Sequence, residues 1–229
     1  MSWLVTGLPW LLATLLAFFL AEALYRKTAY SPFLHPVIIA CALLIPLLLM
    51  LSVDYSTYRR GALPLLWLLG PATIALAVPL ADRLPQLRKI WRPVAISVVA
   101  GSVVAIVSAL LIGWLVGLNA LTLRTLIGKS VTTPIAMGVA EQVGGAPELA
   151  AIIVIVVGVM GAAIATKLLD ACAVTSLPAR GIAIGLAAHG VGTARAAQLS
   201  AEMAAYAGLA MGLTGLVTAA IAALLALFI

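Results

Sequence analysis

Residues 187–197 read A-A-H-G-V-G-T-A-R-A-A, and the interpretation of the whole chain turns on them. They lie inside a long apolar run. A His, two Gly, a Thr and an Arg are costly at that depth in lipid, so ionisable groups there are first read as functional. A second stretch of the same character stands upstream, Gly128-Lys129-Ser130-Val131-Thr132-Thr133-Pro134. A milder third is Gly70-Pro71-Ala72-Thr73. The remainder is apolar scaffold around these three interruptions.

The chain is 65% hydrophobic and 9% charged, with a mean hydropathy of +1.23. A soluble domain carries about 25% charged residues. The composition therefore predicts an all-α, multi-pass membrane protein. Unbroken Leu/Ile/Val/Ala runs exclude a membrane β-barrel, whose strands alternate. The net charge of +6, from 13 Lys+Arg against 7 Asp+Glu, sits mostly in short loops. It reads as a topology and headgroup signal rather than a nucleic-acid surface. Cys41 and Cys172 show no metal spacing, and no metal or cofactor is expected. The first apolar run lacks a basic leader and a small-residue cleavage site, so it reads as a retained helix.

Spans of about 20 apolar residues cross the hydrocarbon. On that rule the chain divides into about seven or eight segments, at 3–25, 34–51, 61–81, 93–117, 121–144, 149–173, 178–206 and 208–229. Two or three of these are broken or re-entrant. The loop with Arg83, Arg88, Lys89 and Arg92 is the most basic and is expected on the cytoplasmic side of the cell (inner) membrane. Strict alternation then puts Arg59 and Arg60 outside, against the rule. That conflict predicts that at least one interrupted segment re-enters and does not cross.

The interruptions are evenly spaced. Gly70-x-x-Thr73, Ser130-x-x-Thr133 and Gly190-x-x-Thr193 recur with a period of about 60 residues, the kind of internal repetition found in transport folds. One polytopic domain over 1–229 is expected, with N-terminal spans at 1–60 and repeats at 61–118, 121–175 and 178–229. Successive repeats are inverted if each broken segment is a hairpin, and parallel if each crosses. Chance similarity among Gly/Ala/Val-rich helices is the plainer explanation.

A broken membrane helix presents free N–H groups and a positive dipole end at the start of its second half, and both attract anions. Thr132, Thr133 and Thr193 stand where such starts are expected, and Pro134 fits the first helical position. Lys129 and Arg195 flank the breaks, and Arg195 suits a bidentate carboxylate. Together Lys129, Ser130, Thr132, Thr133, His189, Gly190, Gly192, Thr193 and Arg195 form the candidate anion site, with Thr73 and Glu141 secondary. The plainer alternatives are Lys129 snorkelling to an interface, Arg195 pairing with Glu141 or Glu202, and His189 as a hydrogen-bonded packing residue. On the functional reading His189 carries a coupled proton; a cation-coupling role for Glu141, seven residues past Pro134, has no other support in the sequence. No nucleophile with a base partner emerges, so no enzyme activity is expected. Gly190-x-Gly192 is no dinucleotide fingerprint, since no strand precedes it.

At three places in order the chain resembles the LrgB/CidB family: Gly70-Pro71-Ala72-Thr73-Ile74-Ala75-Leu76-Ala77-x-Pro79-Leu80, Lys129-Ser130-Val131-Thr132-Thr133-Pro134-Ile135-Ala136-Met137, and His189-Gly190-Val191-Gly192-Thr193-Ala194-Arg195-Ala196. The likeness runs from about residue 34 onward. Ala188 stands where many relatives have Ser. The resemblance implies two roles. Bacterial members are named antiholin-like, as modulators of murein hydrolase activity and lysis, and are often encoded with a small LrgA/CidA-type membrane partner. Plant relatives carry glycolate and glycerate, and some bacterial ones are linked to pyruvate. The expected function is a secondary carrier of small monocarboxylates, working as a homo-oligomer in the lipid membrane without nucleic acid. The alternative is an antiholin-like regulator of lysis or a pore.

Overall fold

The computed structural model describes residues 7–28, 30–31, 34–68, 71 and 84–227, and every regular element among them is helical. The chain forms two compact units, Met1–Ala75 and Leu76–Ile229. Four helices are long and apolar enough to cross a membrane: Leu8–Lys27, Arg88–Leu115 within a longer helix, Pro147–Ala171 and Ala201–Ala226. The helix Pro36–Met50 is apolar but shorter. Of the seven or eight hydrophobic segments expected from hydropathy, some of them broken or re-entrant, four are helices of this length among the described residues.

In the first unit, α1 (Leu8–Lys27) begins with Pro9 in its first turn and ends on Arg26 and Lys27, placing cations at its negative end. α2 (Pro36–Met50) starts where His35 accepts a hydrogen bond from the Val37 N–H at 3.4 Å. Ala17 and Ala21 of α1 pack on Ala40 and Leu44 of α2, the small side chains letting the helices approach. α3 (Tyr55–Trp67) starts earlier than the hydropathy suggested. The polar run 54–60 reads as a loop by composition, but the Asp54 carboxylate accepts from the Ser56 N–H at 2.8 Å and caps a helix there. Tyr58 then bonds Thr14 at 3.1 Å and meets the Trp10 ring edge-on.

The second unit holds α4 (Leu84–Leu115), α5 (Ala120–Leu126), α6 (Thr133–Gln142), α7 (Pro147–Ala171), α8 (Leu177–Leu199) and α9 (Ala201–Ala226). Two of its segments turn back on themselves. α5 and α6 are seven and ten residues long, about 10 and 15 Å at 1.5 Å per residue, against roughly 30 Å of hydrocarbon. They run antiparallel. Thr125 Oγ1 near the end of α5 accepts from the Ala146 N–H beyond α6 at 2.9 Å, and a Cβ on Gly128 would sit 2.9 Å from Ala136 Cα. Gly128 is what allows that approach.

α8 does the same without an intervening loop. Its backbone leaves the helical region at His189 (φ 39°, ψ −129°). In a straight helix Gly192 lies about 12 Å along the axis from Ile184. Here a Cβ on Gly192 would sit 2.8 Å from the Ile184 carbonyl oxygen. Ile184 and Ala196 share one core cluster with Met203 and Ala207 of α9. The arms 177–188 and 190–199 are therefore the two sides of a hairpin with His189 at its tip.

Hairpin and long helix follow one another twice. The base of the α5–α6 hairpin adjoins the start of α7, and the base of the α8 hairpin adjoins the end of α7 and the start of α9. The two hairpins thus enter from opposite ends of α7. The boundary near residue 207 drawn from hydropathy is corrected to Ser200, whose extended backbone (φ −163°, ψ 135°) ends α8 and whose hydroxyl accepts from the Met203 N–H to start α9. Alanines stand on both sides of Ser200 among only a few polar residues, Arg195, Gln198 and Glu202, so an averaged hydropathy passes over this break.

Candidate functional site at the two hairpin tips

Both tips reach the same level of α7. Val131, at the turn between α5 and α6, packs in a cluster with Val154. The Val154 carbonyl lies 2.9 Å from His189 Nε2 at the other tip. Only the protonated ring nitrogen can donate there, so this contact fixes the proton on Nε2. His189 is 4% exposed. Its ring occupies the space left by Gly158, where a Cβ would meet Cε1 at 2.6 Å and Nε2 at 2.7 Å. Gly158 lies near the middle of α7, so the tips lie near the middle of the span. α9 serves both as well: Thr193 reaches Met211 Sδ at 3.8 Å, and Gly215 of α9 abuts the Ile135 side chain of α6.

Two helix N-termini point into this level. α6 begins at Thr133 with Thr132 as its N-cap in extended backbone (φ −67°, ψ 151°), and no side chain caps it. Pro134 is the second helical residue, one place later than the sequence suggested, and removes one donor. The second arm of α8 begins at Gly190. Thr193 does not cap it, because its hydroxyl donates back to the His189 carbonyl at 2.8 Å. That bond steadies a tip whose central residue has positive φ without being glycine, a strained conformation held by its surroundings. Uncapped N–H groups at membrane depth need an acceptor from elsewhere.

Lys129 is half-buried, and its Nζ donates to Ser130 Oγ at 3.0 Å. Ser130 is itself buried. So Lys129, Ser130, Thr132 and Thr133 lie at one tip and His189, Gly190, Gly192 and Thr193 at the other, joined through Val154. Gly192 is buried against the first arm, whereas Gly190 has open space around its α-carbon.

Arg195 is not at the tip. The chain has reversed at His189, so six further residues carry Arg195 about 9 Å back toward the hairpin base. It lines a cavity of about 490 Å³ there with Asp170 and Arg180. Sequence reasoning placed Arg195 beside the break because it assumed only proximity in sequence. It missed Asp170 and Arg180 altogether, although opposite charges ten residues apart around a short turn in neutral surroundings were a visible signal. Glu141 lies at the far end of α6 and is exposed, away from the tip. Thr73, with the first interruption, lies outside the described residues. Among the described residues there is no group of three or more His, Cys, Asp or Glu that could hold a metal.

The family model described as LrgB-like matches residues 14–228, which is nearly all of both units. The chain belongs to the LrgB-like family. Relatives matched over nearly their whole length include Uncharacterized protein YwbG of Bacillus subtilis (strain 168), 34% identical over 93% of this chain and 94% of its own. An Uncharacterized protein of Haemophilus influenzae is 29% identical over 91% of this chain and 90% of its own. The Antiholin-like protein LrgB of Bacillus mycoides is 27% identical over the same shares. No solved structure matches. The LrgB match makes this a membrane-protein family member, in agreement with the long apolar helices.

Proposed function

We propose that the protein is a secondary carrier of small monocarboxylates, of the pyruvate, glycolate, glycerate or lactate type, in the inner membrane. The observation that carries the reading is the convergence of two hairpin tips, entering from opposite ends, on one stretch of α7 from Val154 to Gly158. Each tip presents the start of a short helix, worth roughly half a positive charge. Lys129 adds a full charge beside the uncapped start of α6. Discontinuous helices with N-termini aimed at the midplane are how many transporters hold an anionic group. We read α5–α7 and α8–α9 as two inverted copies of one unit. Such copies give a carrier two equivalent halves, one opening to each side. The spacing of about 60 residues between the Ser130 and Gly190 motifs accords with that reading.

The substrate carboxylate sits at Lys129 and the α6 start, and its hydroxyl or keto oxygen at Thr133 or Thr193. The end of the second unit carrying Arg88, Lys89, Arg92, Lys167 and Arg180 faces the cytoplasm, by the positive-inside rule. His189 is the proton-coupling candidate. A small LrgA/CidA-type partner and a homo-oligomer belong to the same proposal.

The test is uptake of labelled pyruvate and glycolate into proteoliposomes holding the purified chain, with and without a small partner. Uptake above empty liposomes, lost in Lys129→Gln, supports the carrier. No uptake of either acid under any condition overturns it. The second reading, an antiholin-like regulator of lysis, is favoured by the name of the Bacillus relatives. It predicts altered murein hydrolase activity in producing cells that survives Lys129→Gln.

A further inference from the structure

The cavity at the base of the α8 hairpin is separate from the tips and has its own electrostatics. Thr166 and Asp170 of α7, Thr175 of the turn, and Arg180, Arg195 and Leu199 of α8 line it. Arg180 Nη1 is 2.6 Å from Asp170 Oδ1 and 2.9 Å from the Val174 carbonyl. The Arg180 side chain is 14% exposed and that of Asp170 is 65% exposed. The carboxylate therefore sits at the water side and the guanidinium is tucked behind it. Arg195 Nη1 donates to the neutral Gln198 Oε1 at 2.9 Å, while its Nε is buried with no hydrogen-bond partner among the described residues.

Two guanidiniums against one carboxylate leave a positive charge in the lining. A buried donor left unpaired is destabilising, and more so on a charged group. The Arg195 guanidinium holds only a neutral side chain through Nη1, and a planar guanidinium is suited to a carboxylate, which accepts two parallel bonds. The cavity of about 490 Å³ has room for a three-carbon acid and its water.

Resting on the carrier reading, we propose that this cavity is an access site. A monocarboxylate arriving from the hairpin-base side docks on Arg195 before moving along the second arm to the tips. Asp170 tunes the site by occupying Arg180. The path is short, since the arm from Arg195 to His189 is about 9 Å. Arg195 thereby acts on one side of the membrane only, and the tips act on transport from both.

The experiment measures labelled pyruvate uptake in right-side-out and inside-out membrane vesicles, each presenting one face. Arg195→Gln is expected to raise the KM at least tenfold when pyruvate meets the hairpin-base face, and less than twofold from the other. Asp170→Asn, which frees Arg180, is expected to lower the KM at the hairpin-base face about threefold. A misfolded variant cannot produce that gain. An unchanged KM in Arg195→Gln, an equal rise at both faces, or a higher KM in Asp170→Asn overturns the access site and leaves the carrier intact. Binding is read separately, as thermal stabilisation by pyruvate in the Lys129→Gln background. Stabilisation that persists there and vanishes on adding Arg195→Gln supports the access site, even where wild-type protein shows no uptake and the carrier reading falls. No stabilisation in Lys129→Gln, or its survival in the double variant, overturns the site.

Discussion

Gly158→Ala is the most direct probe of the His189 tip. The added methyl would stand 2.6 Å from His189 Cε1, 2.7 Å from Nε2 and 3.0 Å from Val191 Cγ2. Carbon atoms rest at about 3.5–4.0 Å, so the ring must retreat by roughly 1 Å. His189 Nε2 now lies 2.9 Å from the Val154 carbonyl. A retreat of that size takes it beyond hydrogen-bonding range, which ends near 3.2 Å for N–H···O. Overpacking costs about 1–3 kcal/mol and the lost bond about 0.5–1.5 kcal/mol. Alanine in a helix returns up to about 1 kcal/mol. The net loss is about 1–3 kcal/mol. Gly212→Ala is the control: nothing described lies within 4 Å of its added methyl, so it is expected to be neutral or slightly stabilising. For a chain of this size about 1 kcal/mol moves Tm by roughly 2–4 °C. The two variants should therefore melt roughly 2–12 °C apart in detergent, with Gly158→Ala the lower. Uptake should fall in Gly158→Ala and persist in Gly212→Ala. Equal melting temperatures with full uptake by Gly158→Ala would show that the ring is not held where this reasoning puts it.

Lys129→Gln should lower pyruvate uptake about 10- to 100-fold, the worth of roughly 1.5–3 kcal/mol for a bond to a charged group; uptake within twofold of wild type would remove Lys129 from the site. Lactate should compete with pyruvate and lactamide should not, because a neutral amide leaves Lys129 and the α6 start without their anion; equal competition would make those charges structural. His189→Gln should flatten the dependence of uptake on pH between about 5 and 8, where an imidazole titrates, and an unaltered profile would leave His189 a packing residue. In a background free of Cys41 and Cys172, Ser176→Cys and Ser200→Cys should be labelled by an impermeant maleimide from one face, and Asn119→Cys and Gly145→Cys from the other. Labelling of Ser176→Cys and Ser200→Cys from opposite faces would mean that α8 crosses.

Much of the site was written in residue type. Lys129, Ser130 and His189 announce themselves because polar groups at membrane depth are expensive, so the interruptions stand out from their apolar flanks. The motif order also carries the family. Ser200, by contrast, hides in an Ala-rich run. Only its side-chain bond to the Met203 N–H and its extended backbone mark a helix boundary. Asp54 hides in the opposite way, within a polar run that looks like a loop until its capping bond is seen.

What the sequence determined by itself is the solvent and the chemistry: a helical membrane chain of the LrgB-like family, with Lys129, Arg195 and several hydroxyls set in its broken segments. Tertiary structure decided the direction of the chain at each break. His189 at φ 39° reverses α8, and Gly128 and Gly192 let the returning arms close. Those reversals brought the two tips to one level of α7 through Val154, and they carried Arg195 away from His189 to Asp170 and Arg180. Sequence distance could not foretell this. A break that continues and a break that turns back contain the same residues. The difference lies in a single pair of dihedral angles, held by contacts from helices many residues away.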